Sequence, residues 1–201
     1  MKVDKRIIHS QTAIIEALLR LMQQYPMQEI TVMQICQEAD ISRNTFYRLF
    51  KTKEEILRFH MESVISEIIG RFEQLENFHY SSLTRQDIER VYNRFYNYWL
   101  EHKELLALLH RHNLLMAFYR EFCVFSNNSM SNDIIRHYKE NTGSNIEHYY
   151  YGWYGSSICS ILESWVERDF QDQPAELTEI TIQLYQSINY QFENWSAPQQ
   201  V

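Results

Sequence analysis

The chain has 201 residues, enough to bury a sizeable core in one or two domains. Hydrophobic residues make up 45% of it, while Gly (4) and Pro (3) are scarce, so it reads as a globular protein of long helices rather than many short strands joined by turns. The net charge of −7 argues against a nucleic-acid binder only until its distribution is counted: residues 1–60 hold nine Lys/Arg against seven Asp/Glu, and the remainder is net −9. A mildly basic head on an acidic body suits a protein that grips phosphates at one end. Cys36, Cys123 and Cys159 are odd in number and without paired spacing. They point away from disulfides and zinc and towards a reducing cytoplasm. No apolar stretch has the length of a signal-peptide core or a membrane span, so no membrane association is expected.

Taken in chain order, a first helix is predicted from Arg6 to Gln24, with Ile7, Ala13, Ile14, Ala17, Leu18 and Leu21 in helical register. Tyr25-Pro26 ends it. Thr31 and Gln34 have capping-box spacing and open a short helix to Ala39. Asp40-Ile41 forms a turn, and Ser42 caps a third helix through Arg48. Thr52 and Glu55 form another capping box before a long fourth helix, residues 53–77. A connector follows, then helices from Thr84 to Trp99, His102 to Arg111 and Leu114 to Phe125. The Ser- and Asn-rich stretch 126–133 is read as a loop and 134–139 as a helical segment. Ser144 with Glu147 opens a helix to Arg168, and Pro174 starts a last helix ending near Trp195. The fold class is therefore all-α, with about nine or ten helices.

Function concentrates in Ile30–Leu57. Two short helices separated by a tight turn have helix-turn-helix geometry. Ile35 and Ala39 are expected to pack beneath Ile41 and Phe46, leaving the N-terminal end of the second helix to enter a major groove with Ser42, Arg43, Asn44 and Thr45. Arg pairs bidentately with guanine and Asn with adenine, and a Thr methyl touches thymine. Tyr47, Arg48, Lys51 and Lys53 fall where phosphates would be gripped, and Thr31 completes the candidate DNA-binding set.

The segment resembles the DNA-binding domain of the TetR family. The matching residues are Thr31, Ile35, Ala39, Ser42, Thr45, Phe46, Tyr47, Phe50, Lys53, Glu54 and, one position late, Leu57. Asp40 stands where the family usually has glycine, and Asp tolerates the left-handed conformation better than most residues. The resemblance implies an N-terminal three-helix helix-turn-helix domain (1–52), a linking helix (53–77) and a larger helical ligand-binding and dimerisation domain (78–201). It also implies a repressor, bound as a homodimer to a palindromic operator on double-stranded DNA and responsive to a small-molecule effector. The segment Tyr149–Leu184, with Gly152, Gly155, Trp165 and Pro174, is similar to the C-terminal part of some Gram-positive members, so the setting implied is the bacterial cytoplasm.

In that body, Gly152, Gly155, Ser156 and Ser160 are small residues that permit close helix approach. Ile158, Ile161, Leu162 and Trp165, with Leu177, Ile180, Leu184, Ile188 and Phe192 on the last helix, form stripes suited to a dimer interface or to internal core. Aromatics that could line an effector pocket, although such a stripe more often fills a core, are Tyr92, Phe95, Tyr96, Trp99, Phe118, Phe122, Tyr150, Trp153 and Tyr154. His110 and His112 lie on different helix faces, so no metal is assigned, and no cofactor is expected. A TetR-fold coactivator or adaptor acting through a protein partner is the alternative. An enzyme is disfavoured, because no phosphate loop, paired-Cys motif or His-Glu-x-x-His signature occurs.

Overall fold

The computed structural model describes residues 5–73, 84–126 and 146–195; the side chains of 72–73, 124–126, 146–148, 150–151 and 187–195 lie outside that description. Nine helices and no strands occur among the described residues. They are α1 Lys5–Met22, α2 Val32–Glu38, α3 Arg43–Leu49, α4 Lys53–Glu73, α5 Arg85–Glu101, α6 Lys103–Arg111, α7 Leu115–Ser126, α8 Ile146–Glu167 and α9 Pro174–Trp195. The predicted all-α order is observed. The end of the fourth predicted helix beyond Glu73, the loop at 127–133, the 134–139 segment and the Ser144 cap lie outside the described residues.

Local chemistry sets the helix ends. Thr31 caps α2 in a full capping box with Gln34, and Thr84 does the same for α5 with Asp87. Ahead of α4, Thr52 Oγ1 accepts from the Glu55 N–H at 3.2 Å, while the Glu55 carboxylate reaches back past Thr52 to the Lys51 N–H. Three helices end in left-handed residues without glycine: Asp40 (φ 52°), Asn113 (φ 56°), and the pair Asp169 (φ 53°) and Phe170 (φ 55°). In each case the following backbone closes a Schellman-type bond, as from Ile41 N–H to Cys36 O at 3.0 Å and from Leu114 N–H to Leu109 O at 2.8 Å.

Helix α1 buries Ile14, Ala17, Leu18 and Leu21, the i, i+3, i+4, i+7 stripe, against α2, α3 and α4. Its first turn does not join them: Ile7 and Ile8 stay exposed. Helix α4 buries Ile56, Leu57, Met61, Val64, Ile65, Ile68 and Ile69 because it packs on α1 near one end and on α5 and α7 beyond. In the body, α9 lies along α5, and α8 packs against α6 and α7. Gly155 permits the α7–α8 approach: a Cβ there would stand 1.9 Å from Tyr119 Cε1. That closeness lies within the chain, whereas Gly152 faces open space.

The head is joined to the body at a second place besides α4. At the C-terminal end of α6, Arg111 donates to the Gln23 carbonyl at 3.0 Å, and the His112 Nε2 meets the Met22 carbonyl at 2.7 Å. These groups satisfy carbonyls that the end of α1 leaves without helical partners.

Candidate nucleic-acid interface

The short helix α3 is held from below. Ile35 and Phe46 are fully buried and Phe50 nearly so, with Ala39 and Ile41 half-buried against them. Phe46 and Phe50 sit with ring centroids 6.5 Å apart, and Phe59 of α4 meets Phe50 edge-on at 5.7 Å. The turn before α3 depends on Asp40 in the left-handed region, as its position in the sequence suggests. Ser42 then caps α3: its Oγ accepts from the Thr45 N–H at 3.1 Å and lies 3.0 Å from Thr45 Oγ1.

Burial of Phe46 and Phe50 turns the opposite face outward. Ser42, Arg43, Asn44, Tyr47 and Arg48 are exposed and Thr45 half-exposed, all on one short helix. Arg43, Arg48 and Lys51 form no ion pair among the described residues, whereas Arg20 is held by Glu38 at 2.7 Å. The cations nearest the reading edge are thus unpaired, as are Arg58, Lys103 and Arg120 elsewhere among the described residues. Thr31 is exposed, but its hydroxyl is engaged with Gln34 as a cap.

Lys53, expected at a phosphate, has its ammonium engaged within the chain. Its Nζ donates to the carbonyls of Met27 at 2.6 Å, Gln28 at 3.0 Å and Ile30 at 2.7 Å. An ammonium has three N–H groups, and all three are used. Lys53 therefore ties the loop between α1 and α2 to the start of α4. The sequence hides this, because a lysine at a helix start looks the same whether it faces phosphate or carbonyls.

Further along the chain, Tyr96, Trp99 and Phe118 are buried, with Tyr92, Phe95, Phe122 and Tyr154 half-buried around them. The Trp99 and Phe118 ring centroids are 5.3 Å apart, and the Tyr92 and Tyr154 hydroxyls lie 3.0 Å from each other. The Tyr96 hydroxyl bonds to buried Thr181 at 2.6 Å, and burial pushes its pKa up to about 12. The structure thus brings the expected aromatics of α5, α7 and α8 into one cluster, with Tyr150's side chain outside the description and Trp153 half-exposed. Sequence reading missed Tyr185 and Thr181, which α9 adds; Tyr185 lies off the apolar stripe of that helix and stacks 5.7 Å from Tyr154.

The candidate dimer residues divide by burial within the chain. Ile158, Leu162, Trp165 and Leu177 are buried in the chain's own core and Ile161 is half-buried against it, because these faces pack on α5, α6 and α7. Ile180 (42% exposed) and Leu184 (49%) do face outward, with Trp153 (48%) and Tyr149 (75%) on α8. The Ile188 side chain lies outside the described residues.

A small helical head that presents Arg, Asn and Thr on a short outward helix, joined by one long helix to an aromatic-rich helical body, is the construction of a helix-turn-helix DNA-binding regulator. Residues 14–58 match the family described as bacterial regulatory proteins, tetR family, and residues 86–187, half of the chain, match a family described as transcriptional regulator C-terminal region. The chain belongs to the TetR family, whose members are DNA-binding regulators and not enzymes. Among solved structures it is similar to a TetR transcriptional regulator from Streptococcus agalactiae (19% identity, 90% of this chain and 96% of that one, TM-score 0.63). It is also similar to the fatty acid degradation regulator FadR from Bacillus halodurans (14%, 92% and 96%, 0.59) and to the dihydroxyacetone kinase operon activator DhaS (18%, 90% and 96%, 0.50). At such identities these structures support the fold alone. No curated protein matches the chain in sequence. No helix among the described residues is long and apolar enough to cross a membrane.

Proposed function

We propose that the protein is a homodimeric repressor that binds a palindromic operator in the bacterial cytoplasm and releases it when a small-molecule effector enters its helical body. Residues 1–52 act as the reading head, 53–77 as the link and 78–201 as the body. The observation that carries this reading is the outward edge of α3, where Arg43 and Asn44 stand exposed and Arg43 is without an ion pair among the described residues. That edge also favours direct reading of DNA over an adaptor role. One short helix touches few base pairs, so specificity requires two heads. The exposed Ile180, Leu184 and Trp153 supply an apolar surface through which two copies would meet. Effector binding is supported by Trp99 Nε1, which is buried in the aromatic cluster without a hydrogen-bond partner.

The test is fluorescence anisotropy with the DNA upstream of the protein's own gene, read against scrambled duplex. We expect sequence-preferring binding with two chains per site. Arg43→Ala should lower specific affinity about ten- to a hundredfold for each of the two heads, the value of one bidentate base contact apiece, with melting unchanged. Equal affinity for scrambled duplex at low salt would sink the proposal.

A further inference from the structure

Between head and body lies a half-open cleft of about 370 Å³, formed by α1, α4, α5 and α6. It shares no lining residue with the aromatic cluster of the body. Leu19, Val64 and Leu108 give it an apolar floor. His60 and Tyr98 line it as well, and both carry polar atoms that are buried without a hydrogen-bond partner: the imidazole Nε2 and the phenol hydroxyl. Tyr98 is only 1% exposed, its ring covered by the Arg71 guanidinium 4.8 Å from the centroid.

The Tyr98 hydroxyl has the Glu67 carboxylate beside it, but the His60 Nε2 bears a desolvation cost that no neighbour relieves. Native proteins hold few such groups, and one along a cleft points to a missing partner. The cleft's charge says what kind. No lysine or arginine lines it, but two carboxylates do. Glu67 is paired with Arg71 at 3.0 Å, whereas Glu104 is exposed and has no ion pair among the described residues. An anionic ligand would meet Glu104 with only the His102 imidazole as a counter-charge, while a cation would find Glu104 unpaired.

We infer that this cleft is a second ligand site, specific for a small organic ammonium with an apolar tail. The tail lies on Leu19, Val64 and Leu108, the charged end is held by Glu104, and an N–H group donates to His60 Nε2 as the mouth of the cleft yields. Burial favours the neutral imidazole, which leaves a lone pair to accept such a bond. The site adjoins the bonds from Arg111 and His112 to the end of α1, so its occupancy would bear on how the head is held.

Calorimetric titration of the DNA-free protein with n-hexylammonium, n-hexanol and n-hexanoate tests this. The ammonium should bind most tightly, hexanol more weakly and hexanoate not measurably. Glu104→Gln should weaken the ammonium by about fivefold, the upper value for one exposed charge pair, and leave hexanol unchanged. Ser63→Phe, an exposed α4 position lining the cleft, should block all binding without unfolding the chain. Absence of hexylammonium binding, hexanoate binding as tightly as the ammonium, or indifference to Ser63→Phe overturns the inference.

Discussion

Replacing Lys53 by methionine keeps most of the aliphatic stem and deletes the ammonium that meets three carbonyls at 2.6, 3.0 and 2.7 Å. A hydrogen bond involving a charged group contributes about 1.5–3 kcal/mol net, but three bonds from one ammonium share a single dehydration cost. The Gln28 carbonyl is exposed and can turn to water, whereas the bonds to Met27 and Ile30 are partly buried. The expected loss is therefore about 2–4 kcal/mol, less than the sum of three independent bonds. Urea unfolding at constant m-value measures it, and DNA affinity should fall only as far as the head unfolds. A phosphate-binding Lys53 predicts the reverse pattern: stability changed by less than about 0.5 kcal/mol and the salt slope of DNA binding reduced by about one unit per subunit. That second pattern would refute the assignment of Lys53 to the α1–α2 loop.

Gly155→Ala should destabilise by about 1–3 kcal/mol despite the better helix propensity of alanine, because the new Cβ overlaps the Tyr119 ring; Tyr119→Leu in the same chain should restore part of the loss in a thermal melt. Asp40→Gly should raise stability by up to about 1 kcal/mol by relieving the left-handed strain, with operator affinity unchanged. For His60, desolvation lowers the folded-state pKa, with the nearby His102 adding to the effect. The unfolded chain then binds more protons, so stability is intact above the ordinary imidazole value of about 6.5 and is lost as pH falls from there towards the depressed folded value. Denaturation midpoints between neutral and mildly acidic pH should show this slope, and His60→Phe should flatten it.

What the order of residues determined by itself was local. Thr31 with Gln34, Ser42 before Thr45, and Thr84 with Asp87 state where helices begin, since a cap bonds only two or three residues ahead. The alternation of buried Phe46 and Phe50 with polar Arg43, Asn44 and Tyr47 likewise implied which side of α3 faces out, because helical period alone separates the two faces. Roles that depend on what lies across a gap needed the tertiary structure. Lys53 acquires its partners 23 to 26 residues away. Leu162 and Trp165 turn inward while Ile180 and Leu184 turn outward, although both sets form apolar stripes, because a stripe shows that a face is covered but not by which neighbour. The junction cleft left no periodic trace, as its walls come from four helices that meet only after the head has docked on the body.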